Sequence, residues 1–122
     1  MRREKLCLHD IVEAADAIAG FLKGKAWEQF VRDDLFQSSV LHKLMIIGEA
    51  ASKLPEQFCA RYPDIDWSDI VGFRNIVVHE YFAVRWPTVW TTATIDAPLL
   101  RHKIAEILAR EYRPVQPPDS GV

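Results

Sequence analysis

The chain has 122 residues and a formal net charge of -2, a length that suits one domain able to bury a core without a metal or disulfide staple. So little net charge excludes a broad basic field, and any contact with nucleic acid has to come from a local concentration of Arg and Lys or from an oligomer interface. Cys7 and Cys59 have neither CxxC spacing nor further cysteines beside them, and read as free thiols in a reducing cytoplasm.

The first residues, Met1-Arg2-Arg3-Glu4-Lys5, are basic, but His9, Asp10, Glu13 and Asp16 interrupt what would be the apolar part of a secretion signal. No window reaches the roughly 18 apolar residues of a membrane span. The expectation is a soluble, cytoplasmic protein.

Leu8, Ile11, Ala15, Ile18 and Leu22 recur at alternating steps of three and four, which predicts an amphipathic helix over about Lys5 to Lys23, with Gly24 helping to end it. After a short connection around Trp27, Val40, Leu41, Leu44, Ile47, Ala51 and Leu54 share one face of a second long helix, about Asp33 to Leu54, closed by Pro55. Gly48 lies inside that helix at a cost of roughly 1 kcal/mol relative to alanine, and a close helix approach would compensate. Asp66 followed by Asp69 resembles a helix start, so a shorter third helix is expected over about Trp67 to Val78. Val89, Ala93, Ala97, Leu100, Ile104 and Ile107 return to helical spacing, with Pro98 placed to kink or split the segment. Residues 1–113 form the expected domain, and 114–122, rich in proline, the expected disordered tail. The β-branched run Ile76-Val77-Val78 has no partner strand in the sequence, and the fold class is all-α, an up-and-down bundle of four to five helices.

Chemistry concentrates in Gly72-Phe73-Arg74-Asn75-Ile76-Val77-Val78-His79-Glu80-Tyr81-Phe82. Arginine is a permanent forked cation suited to phosphate, and histidine exchanges a proton near neutral pH. Arg74 and His79 are five residues apart, about 140° around an ideal helix, so they diverge, whereas Asn75 and His79 share a face. Convergence on one phosphate then requires the helix to end near His79 or a second copy of the chain to approach, as in a homodimer. The bland alternative is a surface arginine with a helix-end histidine over exposed carbonyls.

Arg74-x4-His79-x-Tyr81, together with Ile46-Ile47-Gly48-Glu49-Ala50, Tyr62-Pro63-Asp64-Ile65-Asp66-Trp67 and Val89-Trp90, resembles the HepT-like toxins, a branch of the HEPN superfamily of small helical ribonucleases. The resemblance covers about Leu8 to Ile107, most of the chain. Two positions depart from the pattern: Arg85 stands where an acidic residue is expected, and Asp66 where relatives often carry proline. The resemblance implies a HEPN-like homodimer whose two Arg74-His79 pairs face a shared cleft and cut RNA without a metal or other cofactor. It also implies a minimal nucleotidyltransferase antitoxin as partner, which uses ATP to attach AMP to Tyr81. A helical module that binds the nucleotidyltransferase without cutting RNA is the alternative.

The residues fit such chemistry on their own terms. The 2′-hydroxyl of RNA can attack the adjacent phosphorus while His79 moves the proton and Arg74 stabilises phosphoryl charge, giving a 2′,3′-cyclic phosphate and a 5′-hydroxyl. Asn75 is a supporting residue that orients the histidine or a phosphate, and a nucleotide on Tyr81 would block RNA by charge and bulk. Elsewhere the simpler readings prevail. Glu49 reads as a solvated helix residue, and His9, His42 and His102 lack metal-ligand spacing. Trp27, Trp67, Trp86 and Trp90 read as core or dimer contacts rather than base-stacking platforms. Arg101, His102, Lys103 and Arg110 read as a solvated helix face.

Overall fold

The fold is described from a computed structural model covering residues 2–112; the tail expected at 114–122 lies outside the described residues. Every regular element among them is helical. Helix α1 (Arg2–Leu22) buries Leu8, Ile11, Ala15 and Ile18 along one stripe. It begins three residues before the expected start, because apolar periodicity is blind to a polar first turn. The one-turn helix α2 (Trp27–Phe30) occupies the expected connection. Helix α3 (Asp34–Ser52) starts on Asp33, whose Oδ1 accepts the Phe36 N–H at 3.0 Å, the side-chain cap that satisfies one free donor of a first turn.

Pro55 caps a second short helix, α4 (Glu56–Ala60). Helix α5 (Trp67–His79) is capped by Asp66, whose Oδ1 accepts the Asp69 N–H at 3.1 Å. A 3₁₀ turn, Tyr81–Ala83, follows, then helix α6 (Trp86–Thr91), a π-helical turn at Thr92–Asp96 and helix α7 (Ala97–Glu111). Pro98 neither breaks nor splits this last rod. A proline inside a helix has no N–H to donate and its ring crowds the carbonyl four residues back. The backbone widens just before it, and the Ala97 N–H reaches back to the Thr92 carbonyl, so the extra residue of the π turn absorbs the misfit.

The result is a bundle of four rods, α1, α3, α5 and α6–α7, with α1 against α3 and α7 and α3 against α5. Its core gathers Leu8, Ile11, Ile18, Val40, Val89, Ile104 and Ile107. One end is closed by an aromatic cluster around the fully buried Phe30, whose ring centroid lies 6.0 Å from Trp27, 5.2 Å from Phe36, 6.0 Å from Trp86 and 5.1 Å from Trp90. Trp67 donates its indole N–H to the Tyr62 carbonyl at 3.1 Å. The tryptophans are therefore packing residues. Both cysteines are free, and burial pushes their thiols up from the ordinary value. The basic cluster on α7 is spent locally: Arg101 pairs with Asp16 at 2.9 Å, Lys103 donates to the Asp64 carbonyl at 2.8 Å, Arg110 lies over the Tyr62 ring and His102 faces Glu106.

Gly48 is a point of close approach between α3 and α5. A Cβ there would overlap the Cβ of Arg74 and lie 2.9 Å from its Cγ and 3.3 Å from the Ile70 carbonyl oxygen, so the expected close approach is real and specific to this position. Gly20, exposed on α1, has nothing within 4 Å of the point where an alanine methyl would sit. Gly48→Ala should therefore destabilise by about 1–3 kcal/mol through overpacking, while Gly20→Ala should stabilise by up to about 1 kcal/mol through helix propensity. Urea unfolding of the two variants reads the opposite signs.

Candidate functional site

The chemistry-bearing residues sit on the last two turns of α5 and the 3₁₀ turn behind it. Arg74 is half-buried because its stem lies over Gly48, and this places its guanidinium beside the next residue of α3. Arg74 Nη2 donates to Glu49 Oε1 at 2.6 Å, and Nη1 donates to Asn75 Oδ1 at 2.7 Å. The side chains of Arg74 and Glu49 are 26% and 46% exposed. With Glu49 so open to water, the pair contributes at most about 1 kcal/mol to stability. Its consequence is orientation: two acceptors hold a planar fork and leave three of its five N–H groups unengaged.

His79 is the final residue of α5, and the helix stops there because Glu80 leaves helical geometry at φ -140° and ψ 55° while its N–H still bonds the Ile76 carbonyl at 2.7 Å. The His79 side chain is exposed and makes no hydrogen bond or ion pair to another described residue. The 3₁₀ turn then carries Tyr81, 49% exposed, and Phe82, fully exposed, with their rings edge to face at 5.9 Å. Arg85, at the N-terminal boundary of α6, is likewise exposed.

Of the expected site residues, the fold joins Arg74 to Asn75 directly and leaves His79 and Tyr81 facing solvent at the end of the same helix. The Asn75 amide is oriented by Arg74, so within the chain its oxygen serves the arginine and not the histidine. Sequence reasoning passed over Glu49, treating it as a solvated glutamate. The signal that could have found it was its neighbour: a glycine inside a long helix marks a crossing point, and the residue beside it faces the crossing helix. Around the end of α5, Ile76 and Val78 are 43% and 44% exposed, and only Val77 turns inward to the core. Arg74, Asn75 and His79 are thus set in an apolar, uncovered surface. Among the described residues, no group of three or more His, Cys, Asp or Glu side chains is arranged to hold a metal ion, and no helix is long and apolar enough to cross a membrane.

Comparison with known proteins places this geometry in context. The family model described as "Ribonuclease HepT-like" matches residues 11–107. The "Probable ribonuclease HepT" of Thermococcus cleftensis is 34% identical over 106 residues, covering 87% of this chain and 96% of the relative. The "Putative RNase MJ1216" of Methanocaldococcus jannaschii is 34% identical over 104 residues, covering 85% and 86%. The "Putative RNase TTE0752" of Caldanaerobacter subterraneus subsp. tengcongensis is 32% identical over 111 residues, covering 91% and 99%. No solved structure matches.

Removing the Glu49 carboxylate should free the Arg74 guanidinium with little cost to the fold. Glu49→Ala is expected to shift unfolding free energy by less than about 1 kcal/mol while the Arg74 side-chain ¹⁵N signals lose their restricted rotation. A loss of several kcal/mol would mean that the pair supports the bundle instead.

Proposed function

The chain belongs to the ribonuclease HepT-like family, and on that premise we propose that it is a metal-independent endoribonuclease and the toxin of a toxin-antitoxin pair. Its site is Arg74 and His79 from each of two copies facing a shared cleft. The observation that carries this reading is the division of labour on α5: an arginine fixed by Glu49 and Asn75 with donors to spare, and an unengaged histidine at the helix end. Arg74 binds the scissile phosphate and stabilises the charge that builds on its non-bridging oxygens. One His79 takes the proton of the attacking 2′-hydroxyl as the new O2′–P bond forms. As the P–O5′ bond breaks, the departing 5′-oxygen takes a proton from the second His79 or from water. The products are a 2′,3′-cyclic phosphate and a 5′-hydroxyl.

The homodimer is supported by the apolar character of the uncovered surface around the motif. Phe82, fully exposed, and the half-exposed Ile76 and Val78 lie within three residues of His79 in the chain, and fully covering an exposed side chain such as Phe82 is worth about 1.5–3 kcal/mol. A two-fold contact here would bring two copies of Arg74 and His79 to one seam. Tyr81, 49% exposed on the turn after His79, is the acceptor proposed for AMP transferred from ATP by a minimal nucleotidyltransferase antitoxin. It stands on the turn that follows the proposed phosphate-binding helix, where added phosphate would repel RNA.

Purified, unmodified protein in the presence of a chelator should cut RNA and leave 2′,3′-cyclic phosphate ends. Arg74→Ala and His79→Ala should each lower cleavage by about 10²–10⁴-fold without changing the helical content or the sedimentation of the dimer. Phe82→Asp should lose activity together with the dimer. An inactive wild type, or a fully active His79→Ala, would overturn the catalytic assignment. Co-expressed with the nucleotidyltransferase, Tyr81→Phe should still cut RNA but take up no AMP, as read by the mass of the intact chain; AMP found on another residue would overturn the assignment of Tyr81.

A further inference from the structure

A groove of about 480 Å³, with neither Arg74 nor His79 in its lining, lies between the N-terminal half of α5, the middle of α3 and the start of α7. Its floor is apolar, formed by Leu44, Ile47, Ile70, Phe73, Leu99 and Leu100. Leu99 is 54% exposed, and Ile95, on the same rod one turn earlier, is 62% exposed. The rim carries four carboxylates, Asp64, Asp66, Asp69 and Asp96, against one cation, Lys103. That cation is engaged, with its ammonium 2.8 Å from the Asp64 carbonyl oxygen and 3.8 Å from the Asp64 carboxylate. Asp66 is spent on capping α5. Asp69 and Asp96 remain, on facing elements, with no cation among the described residues.

From this arrangement we infer that the groove docks a cationic amphipathic segment of a partner protein, with an apolar side chain on the Phe73–Leu99 floor and Arg or Lys beside Asp69 and Asp96. The apolar floor asks for a side chain and the uncompensated rim asks for positive charge, which is the anchor-and-flank pattern of a helix or loop seated in a groove. Crowding on the rim agrees: the Asp69 carboxyl is held above its usual value, first by its side-chain contact with Asp66 and then by the repulsion of that charge. An incoming cation relieves that repulsion. RNA does not fit here, because its phosphates would meet carboxylates with no free cation between them. The lining contains none of Arg74, Asn75, His79 and Tyr81, and the inference stands whether or not the chain cuts RNA.

The probe is a synthetic helical peptide of roughly 15 residues with leucines at i and i+4 flanked by arginines, titrated into the full ¹⁵N-labelled chain. Comparators are the same peptide with glutamate for arginine, the same peptide with serine for leucine, and a short single-stranded RNA. The Arg-Leu peptide should shift the amide signals of Ile70, Phe73, Leu99 and Leu100, and its affinity should fall at least tenfold, about 1.4 kcal/mol, in Asp69→Asn/Asp96→Asn and in Leu99→Ser. Asn keeps the shape of both carboxylates and leaves the Asp66 cap intact, so the fold is preserved. The inference is overturned if the Arg-Leu peptide does not bind, if its shifts map elsewhere, or if the substitutions leave its affinity unchanged. Equal binding by the serine peptide would make the groove a site for simple polycations, and RNA shifts at these residues would make it a nucleic-acid surface; either result also overturns it.

Discussion

The contact between Gly48 on α3 and the stem of Arg74 on α5 sets the geometry on which the rest of the site depends. An arginine side chain is long and costly to order, and a solvent-facing one samples many rotamers. Here the missing Cβ of Gly48 lets the first carbons of Arg74 lie against the backbone of α3. With the stem fixed, Glu49 and Asn75 need only hold the head. A glycine that looks unfavourable for an isolated helix thus converts a flexible cation into a placed one, and the roughly 1 kcal/mol that it costs in propensity is small against the ordering it provides.

The end of α5 supplies the second constraint. Had the helix continued past His79, Tyr81 and Phe82 would have been carried on around its axis, whereas Arg74 and His79 both lie within α5 and stay about 140° apart on one rod either way. Glu80 turns the chain instead, and the 3₁₀ turn leaves Tyr81 and Phe82 beside the histidine in solvent. Of the two routes to convergence, an early helix end and a second copy, the first is closed, because α5 ends only after His79. The second is the one the proposed function needs, since Arg74 is tied to α3 while His79 is exposed at the helix terminus.

Most of the architecture was legible because it rests on periodicity and caps. Asp33, Asp66 and the buried stripes of α1, α3 and α7 locate the long helices to within a few residues, since burial of one face repeats at three and four. The one-turn helices α2 and α4 were not legible, because four or five residues carry no period and are held by tertiary packing around Phe30 and Phe58. Pro98 announced a distortion but not its kind. Whether the backbone kinks, splits or widens depends on which carbonyls find other donors, and that is decided by neighbours the sequence does not order. In the site, the types and spacing of Arg74, Asn75, His79 and Tyr81 were visible. Glu49 was not, because its role comes from a crossing between helices and from nothing on its own helix.

The Glu49 pair also bears on how a phosphate could reach Arg74. A guanidinium fully enclosed by carboxylates would have to lose a partner before binding an anion, and breaking a buried pair is expensive. Arg74 is in a different position. Of its five N–H donors, the bonds to Glu49 and Asn75 engage one on each terminal nitrogen, and the side chain stays 26% exposed. Three donors are left for an incoming oxyanion without displacing either acceptor. Glu49 lowers the local positive potential but keeps the fork oriented, which favours a ligand matched to its geometry over any diffuse anion. An arginine held in this way discriminates by direction more than by charge, which suits the phosphodiester-positioning role proposed for it.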